Sequence, residues 1–195
     1  MSDTAVPAQA NPTQEADITS ALGRRSVVLV GMMGAGKSSI GRRLAAELGL
    51  PFVDADTEIE TAAGMTIPEI FEAHGEPYFR SGEARVIARL LDGGPQVLAS
   101  GGGAFINPQT RALIRERSVS VWLKADVEVL LRRIRRRSDR PLLKTDDPEQ
   151  VLRRLVDERY PVYAEADVTI YSQDVAHEAI VADILTALAA RLHTT

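Results

Sequence analysis

The segment Gly31-Met32-Met33-Gly34-Ala35-Gly36-Lys37-Ser38 satisfies the pattern G-x-x-x-x-G-K-[ST], and nothing else in the chain limits its folds so sharply. A short β-branched run, Ser26 to Val30, precedes it, and Ile40, Leu44 and Leu48 recur every four residues after it. The pattern therefore joins a buried strand to a helix with one apolar face. In that setting the glycines let the backbone curl until several N–H groups point at phosphate oxygens, and the helix N-terminus adds partial positive charge. Lys37 is then placed to bridge the β- and γ-phosphates, and the Ser38 hydroxyl to ligate Mg²⁺. Gly34, Ala35, Gly36, Lys37, Ser38 and Ser39 are the candidate ATP-binding residues. The loop implies nucleotide binding without saying what accepts the phosphate.

Further along, apolar runs alternate with helical patterns, which predicts an α/β chain folded in three layers around a five-stranded parallel sheet. The expected strands are Ser26–Val30, Phe52 and Val53 ending at Asp54, Gln96–Ser100, Val119–Leu123 and Val168–Tyr171. Gly49 is placed as the C′ residue of the first helix. From Thr57 to about Leu91 there are only helix signals, which predicts a helical substrate-binding insertion over residues 57–91. Within it Thr66 and Glu69 have capping-box spacing, Gly75 stops that helix and Pro77 starts another. Asn107-Pro108 and Asp147-Pro148 read as helix starts, and a last helix runs from about Val175 to Leu192. Residues 1–24, polar and poor in large apolar side chains, read as a flexible tail ahead of a single domain over 25–195.

Composition removes several classes of function. The chain has no cysteine, which excludes disulfides, thiolate zinc sites and cysteine nucleophiles and suits a cytoplasmic location. No apolar run approaches the roughly 20 residues that span a bilayer, so no membrane partner is expected. A formal net charge of −4 argues against a nucleic-acid partner. Against that total stands the basic run Arg132, Arg133, Arg135, Arg136, Arg137 and Arg140. A solvated helix face accounts for Arg132, Arg133 and Arg136; a mobile lid over about 136–148 accounts for Arg140, which precedes Pro141 after a helix-breaking Ser138-Asp139. His74, His177 and His193 have no metal-like spacing and read as structural or surface residues, and Trp122 as core.

Polar residues at strand ends carry the chemistry, because sites on parallel sheets open at the carboxyl ends of the strands. Asp54 and Asp56 follow the second strand at i, i+2, which sets both on one side of an extended segment. One carboxylate then reaches the Mg²⁺ hydration shell while the other faces an acceptor hydroxyl. A capping role for Asp56 is the competing account. Arg80 and Glu83, one turn apart, share a helix face as a site pair or as a surface ion pair. Arg159 lies in an arginine-rich helix with Arg153 and Arg154, and Gly101-Gly102-Gly103 follows the third strand as a turn.

Taken in order, Gly31 to Ser38, Asp54-Ala55-Asp56, Phe79-Arg80-Ser81-Gly82-Glu83, Gly101-Gly102-Gly103, Arg140-Pro141-Leu142-Leu143 and Arg159 with Tyr163 resemble the motif series of shikimate kinases, over about residues 25–189. The resemblance implies transfer of the ATP γ-phosphate to the 3-hydroxyl of shikimate, with Mg²⁺ as cofactor and ATP, ADP and shikimate as the partners of a monomer. It implies that Arg80 and Arg159 bind the shikimate carboxylate, that Asp56 meets the reacting hydroxyl and that Glu83 orients the site. It also implies that Gly101, Gly102 and Gly103 bring bare backbone to the ring, that Arg140 reaches the ATP phosphates and that Ser38 and Asp54 serve the metal. Lys37, Asp56 and Arg140 are the catalytic set so implied. A gluconate kinase of similar build, or a non-enzymatic regulatory module using the arginine run, stays open at this point.

Overall fold

Val27, Val28, Leu29 and Val30 are all fully buried, a run without the polar alternation that an exposed face would impose. In the computed structural model, which describes residues 12–135 and 147–193, this strand β1 (Ser26–Val30) is the middle of a five-stranded sheet. Its partners are β2 (Phe52–Asp54), β3 (Val97–Ala99), β4 (Ser118–Lys124) and β5 (Val168–Tyr171), in the order β2-β3-β1-β4-β5. Every pairing is parallel: Val27 faces Val97 on one side and Val119 on the other, Phe52 faces Val97, and Val121 faces Val168. All five strands therefore end at the same edge, and the loops leaving Val30, Asp54, Ala99 and Lys124 crowd together there.

Helices cover the sheet. α1 spans Pro12–Leu22, α2 Lys37–Leu48, α3 Ala55–Ala63, α4 Ile67–Asp92, α5 Pro108–Arg117, α6 Val127–Ile134, α7 Pro148–Tyr163 and α8 His177–His193. The expected α/β architecture is the observed one, and the local signals fall where the chain uses them. Thr66 and Glu69 form a reciprocal capping box, and Asn107 and Asp147 accept N–H bonds at the starts of α5 and α7. Gly49 caps α2 in the left-handed region at φ 62°, where a side chain would be strained. Gly41 lets α2 lie on β2, since a Cβ there would come within 2.6 Å of the Phe52 ring.

The expected stop at Gly75 and restart at Pro77 are observed: α4 is two helices joined at a kink, where Gly75 leaves the helical path at φ 80° and ψ 172°. Two expectations change. The third strand is shorter than expected, with Gln96 and Ser100 flanking it but still bonded to β1 through Val27 N–H and Leu29 O. The tail assigned to residues 1–24 does not hold over Pro12–Leu22. Ile18 and Leu22 of α1 are each 2% exposed, and α1 lies against α2 and α8. Thr19 Oγ donates to Leu48 O at 3.2 Å, joining α1 to the end of the phosphate-loop helix. An apolar pair at i, i+4 among polar residues is too weak a periodicity to signal a helix. Its stability comes from burial, worth about 1.5–3 kcal/mol for each side chain.

α3 and α4 enclose a second, smaller apolar cluster of Ile59, Ile70 and Phe79, beside the main core. It seats the helix that carries Arg80 and Glu83.

Candidate active site

On one side of the shared strand edge lies a cleft of about 400 Å³ formed by the glycine loop. Gly34 and Gly36 stand at φ 81° and 92°, and Gly31 at φ 136° has no room for a Cβ, which would come within 2.7 Å of Leu123 O. Lys37 Nζ donates to Gly31 O at 2.8 Å and Met32 O at 2.9 Å, which folds the side chain back over the loop that its ammonium serves. Gly34, Gly36, Lys37, Ser38 and Ser39 line the cleft; Ala35 is 1% exposed and takes part through its backbone.

The opposite wall holds two residues whose role the sequence did not disclose. Arg133, expected on a solvated helix face, turns inward: it donates to Gly34 O at 3.3 Å, Ser172 Oγ at 3.0 Å and Gln173 O at 2.9 Å. Ser172 Oγ donates in turn to Ala35 O at 2.8 Å. The guanidinium thus ties the loop to the segment after β5. His177, read as structural or surface, lines the same cleft at the start of α8. Within an arginine-dense helix no spacing separates Arg133 from Arg132, which does lie at the surface paired with Asp174. Arg140 and the lid about it lie outside the described residues.

Ser38 Oγ donates to Asp54 Oδ2 at 2.5 Å, and Asp54 Oδ1 accepts the Asp56 N–H at 3.1 Å. These are hard oxygen donors at the mouth of a phosphate loop, which suits Mg²⁺, an ion commonly held by one or two protein oxygens with water and phosphate completing its octahedron. Among the described residues no cluster of three or more His, Cys, Asp or Glu side chains forms a metal cage; the fit to Mg²⁺ rests on the Ser38 and Asp54 oxygens.

On the other side a cleft of about 440 Å³ is lined by Asp56, Arg80, Glu83, Gly101, Gly102, Gly103 and Arg159, with Phe71, Phe79 and Ile67 among its apolar walls. Arg80 Nη1 donates to Glu83 Oε2 at 2.8 Å and Nη2 to Glu76 Oε1 at 3.0 Å. Glu83 is 2% exposed, and its Oε1 has no hydrogen-bond partner. Burial therefore pushes the Glu83 carboxyl above its ordinary range against the pull of Arg80, and the nearby Asp56 adds to the rise. Burial works against the Arg80 charge too, but two carboxylates outweigh it and raise its pKa. The two directions agree: Arg80 has more charge partners than it needs, and Glu83 has one oxygen unmatched.

Arg159 arrives from α7. Although only 9% exposed, it donates through Nη1 to an uncharged acceptor, Gly102 O, at 3.2 Å. Tyr163 O–H donates to the same carbonyl. The three glycines differ in what they allow. A Cβ on Gly101 would collide with Glu83 Oε1, and one on Gly103 with the Arg80 guanidinium, whereas one on Gly102 would come no nearer to protein than Met33 N at 3.5 Å. The outer two glycines are crowded by the Glu83 carboxylate and the Arg80 guanidinium, which would have to shift for a side chain; the middle one is open.

Ser38, Asp54, Asp56 and Gly102 belong to the walls of both clefts. A phosphate in the loop and a small molecule beside Arg80 and Arg159 would meet across them, with a carboxylate at the junction. That is the layout for moving a phosphoryl group onto a hydroxyl of a small anion.

A family model described as shikimate kinase matches residues 33–189. The shikimate kinase of Bradyrhizobium diazoefficiens is 68% identical over 192 residues, 98% of this chain and 92% of the relative. That of Rhodopseudomonas palustris is 65% identical, over 96% of this chain and 93% of the relative. Among solved structures, the shikimate kinase from Acinetobacter baumannii in complex with shikimate superposes with a TM-score of 0.82 at 42% identity, covering 86% of this chain and 95% of that one. Two clefts joined at a carboxylate are thus found on a chain that matches these enzymes almost end to end, and it belongs to the shikimate kinase family.

Proposed function

We propose that the larger cleft takes shikimate with its carboxylate between Arg80 and Arg159 and its 3-hydroxyl at Asp56, facing the γ-phosphate of ATP in the glycine loop. The activity is that of a shikimate kinase, an ATP-dependent transferase with a hydroxyl as acceptor. The observation that carries the placement is the convergence of two arginines from separate helices on one cleft, one of them buried and bonded to a neutral carbonyl. A guanidinium so desolvated gains most from a ligand that supplies the missing negative charge, and its fork suits a carboxylate.

The transition state of phosphoryl transfer is loose, so positioning and charge neutralisation do most of the work. Lys37 neutralises the transferring group, and Asp56 orients the hydroxyl and takes its proton as the new P–O bond forms and the bond to ADP breaks. Mg²⁺, when bound to the ATP phosphates, supplies further charge neutralisation, and Ser38 with Asp54 would hold it. Arg133 closes the nucleotide side opposite the loop. No helix among the described residues is long and apolar enough to cross a membrane. A net charge of −4 argues against a nucleic-acid partner, and on the family reading we assign the chain to the cytoplasm as a monomer.

The test is ADP release from Mg·ATP with shikimate, with gluconate and with no acceptor. Release driven by shikimate alone, with shikimate 3-phosphate as product, is expected; release driven by gluconate alone overturns the acceptor placement.

The glycines give a sharper test of the cleft. Gly102→Ala is expected to keep the parent melting temperature and raise KM for shikimate, since its methyl group meets ligand rather than protein. Gly101→Ala is expected to lower the melting temperature as well, because Glu83 must leave its place. Overpacking of this kind costs about 1–3 kcal/mol. Thermal melts beside shikimate titrations separate the two, and equal melts for both variants would refute the distinction.

A further inference from the structure

We infer that Tyr163 is a positioning residue for acceptor recognition: its hydroxyl, sharing the Gly102 carbonyl with Arg159, holds that guanidinium at the angle the acceptor's carboxylate requires. The inference rests on the placement of that carboxylate at Arg159 proposed above.

Tyr163 lies four residues after Arg159 on α7, hence on the same helix face. It is fully buried, yet its hydroxyl is not spent on packing alone: it donates to Gly102 O, which Arg159 Nη1 reaches at 3.2 Å. A carbonyl oxygen has two lone pairs, so both donors are accommodated at once. The phenol oxygen also lies 3.8 Å from Met32 Sδ, at the root of the phosphate loop. One hydroxyl therefore touches the glycine turn between the two clefts, where Arg159 is also bonded, and the base of the nucleotide loop.

The ring is held by other rings. Phe105, Trp122 and Tyr160 lie with centroids 6.5, 5.9 and 6.3 Å from that of Tyr163. This apolar setting fixes where the oxygen sits independently of its hydrogen bonds. Burial also pushes the phenol up to about 12, against the opposing pull of Arg159, so the O–H remains a donor at any ordinary working pH. Without it, Arg159 keeps its charge and its bond to Gly102 O, but that carbonyl loses the donor that fixes its direction. Arg80 is already fixed by two carboxylates. Arg159, held through the neutral Gly102 carbonyl, depends on this arrangement.

Tyr163→Phe removes the oxygen and keeps the ring. Thermal melting and the emission of Trp122, the chain's only tryptophan, report whether the fold is intact. Rates are then measured with shikimate and with its neutral methyl ester, for the parent, Tyr163→Phe and Arg159→Lys. The phenylalanine variant is expected to lose about tenfold in kcat/KM with shikimate, the equivalent of one hydrogen bond. KM for ATP should hold, and the ester, which lacks the charge the arginine reads, should lose far less. Arg159→Lys is expected to lose about a hundredfold with shikimate. If Arg159→Lys behaves so while Tyr163→Phe loses nothing, or loses equally with both acceptors, the positioning role is wrong and the carboxylate placement stands. If Arg159→Lys keeps the parent preference for shikimate over the ester, the placement itself fails, and this inference with it.

Discussion

Asp56→Asn is expected to lower kcat by about a thousandfold, within the range for a positioned acid or base, while leaving the affinity for ATP at its parent value. The split follows from how the residue is held. Its backbone N–H, not its carboxylate, bonds to Asp54 Oδ1, and Asn keeps that N–H and the side-chain volume. Asp54 and Ser38 therefore stay in place, and the nucleotide loop is undisturbed. What disappears is the negative oxygen between the two clefts that is proposed to align the hydroxyl and receive its proton. Steady-state turnover with shikimate, alongside calorimetric titration with ATP, checks both halves. Turnover near the parent rate would remove Asp56 from the chemistry, and a parallel loss of ATP affinity would make it a structural cap instead.

Lys37→Met should lower kcat by about two to three orders of magnitude, the usual loss when one preorganised charge is removed from a transition state. Here the loss extends to binding. The ammonium proposed to neutralise the transferring phosphoryl also spans Gly31 O and Met32 O, and methionine leaves both carbonyls without that donor. Each such bond contributes about 0.5–1.5 kcal/mol, so a lower melting temperature should accompany weaker ATP binding. Single-turnover rates at saturating ATP separate the two effects. A variant that recovers the parent rate once ATP saturates would show that Lys37 binds substrate without stabilising the transition state.

The two residues differ in how plainly the sequence announced them. Lys37 belongs to a contiguous pattern whose geometry is local: strand, glycine turn and helix follow one another, and the loop shape depends on φ values that only glycine adopts freely. Asp56 was recognised with a rival reading as a cap. The observed N-cap of α3 is Asp54, whose side chain accepts the Asp56 N–H. Both carboxylates line the junction of the clefts, but Asp54 is the one bonded to the helix start and to Ser38. The inward turn of Arg133 is not legible in the sequence, because an arginine's direction depends on what lies opposite it, and Ser172 and Gln173 are contributed by a segment some 40 residues later. α1 is illegible for a related reason: Ile18 and Leu22 make a helix face only when α2 and α8 are present to bury it.

By itself the sequence determined whatever is settled within a few neighbouring residues: the phosphate loop, the apolar strands of a parallel sheet, and the caps at Thr66, Asn107 and Asp147. These depend on periodicity, on φ preference and on hydrogen bonds that reach no further than one turn. Only the tertiary structure decided that Arg80 on α4 and Arg159 on α7 line one cleft, that Gly101 and Gly103 are crowded while Gly102 is open, and that Tyr163 reaches across to Gly102. Those facts depend on where parallel strands bring their ends, and on which polar atoms burial leaves without water and must pair with one another.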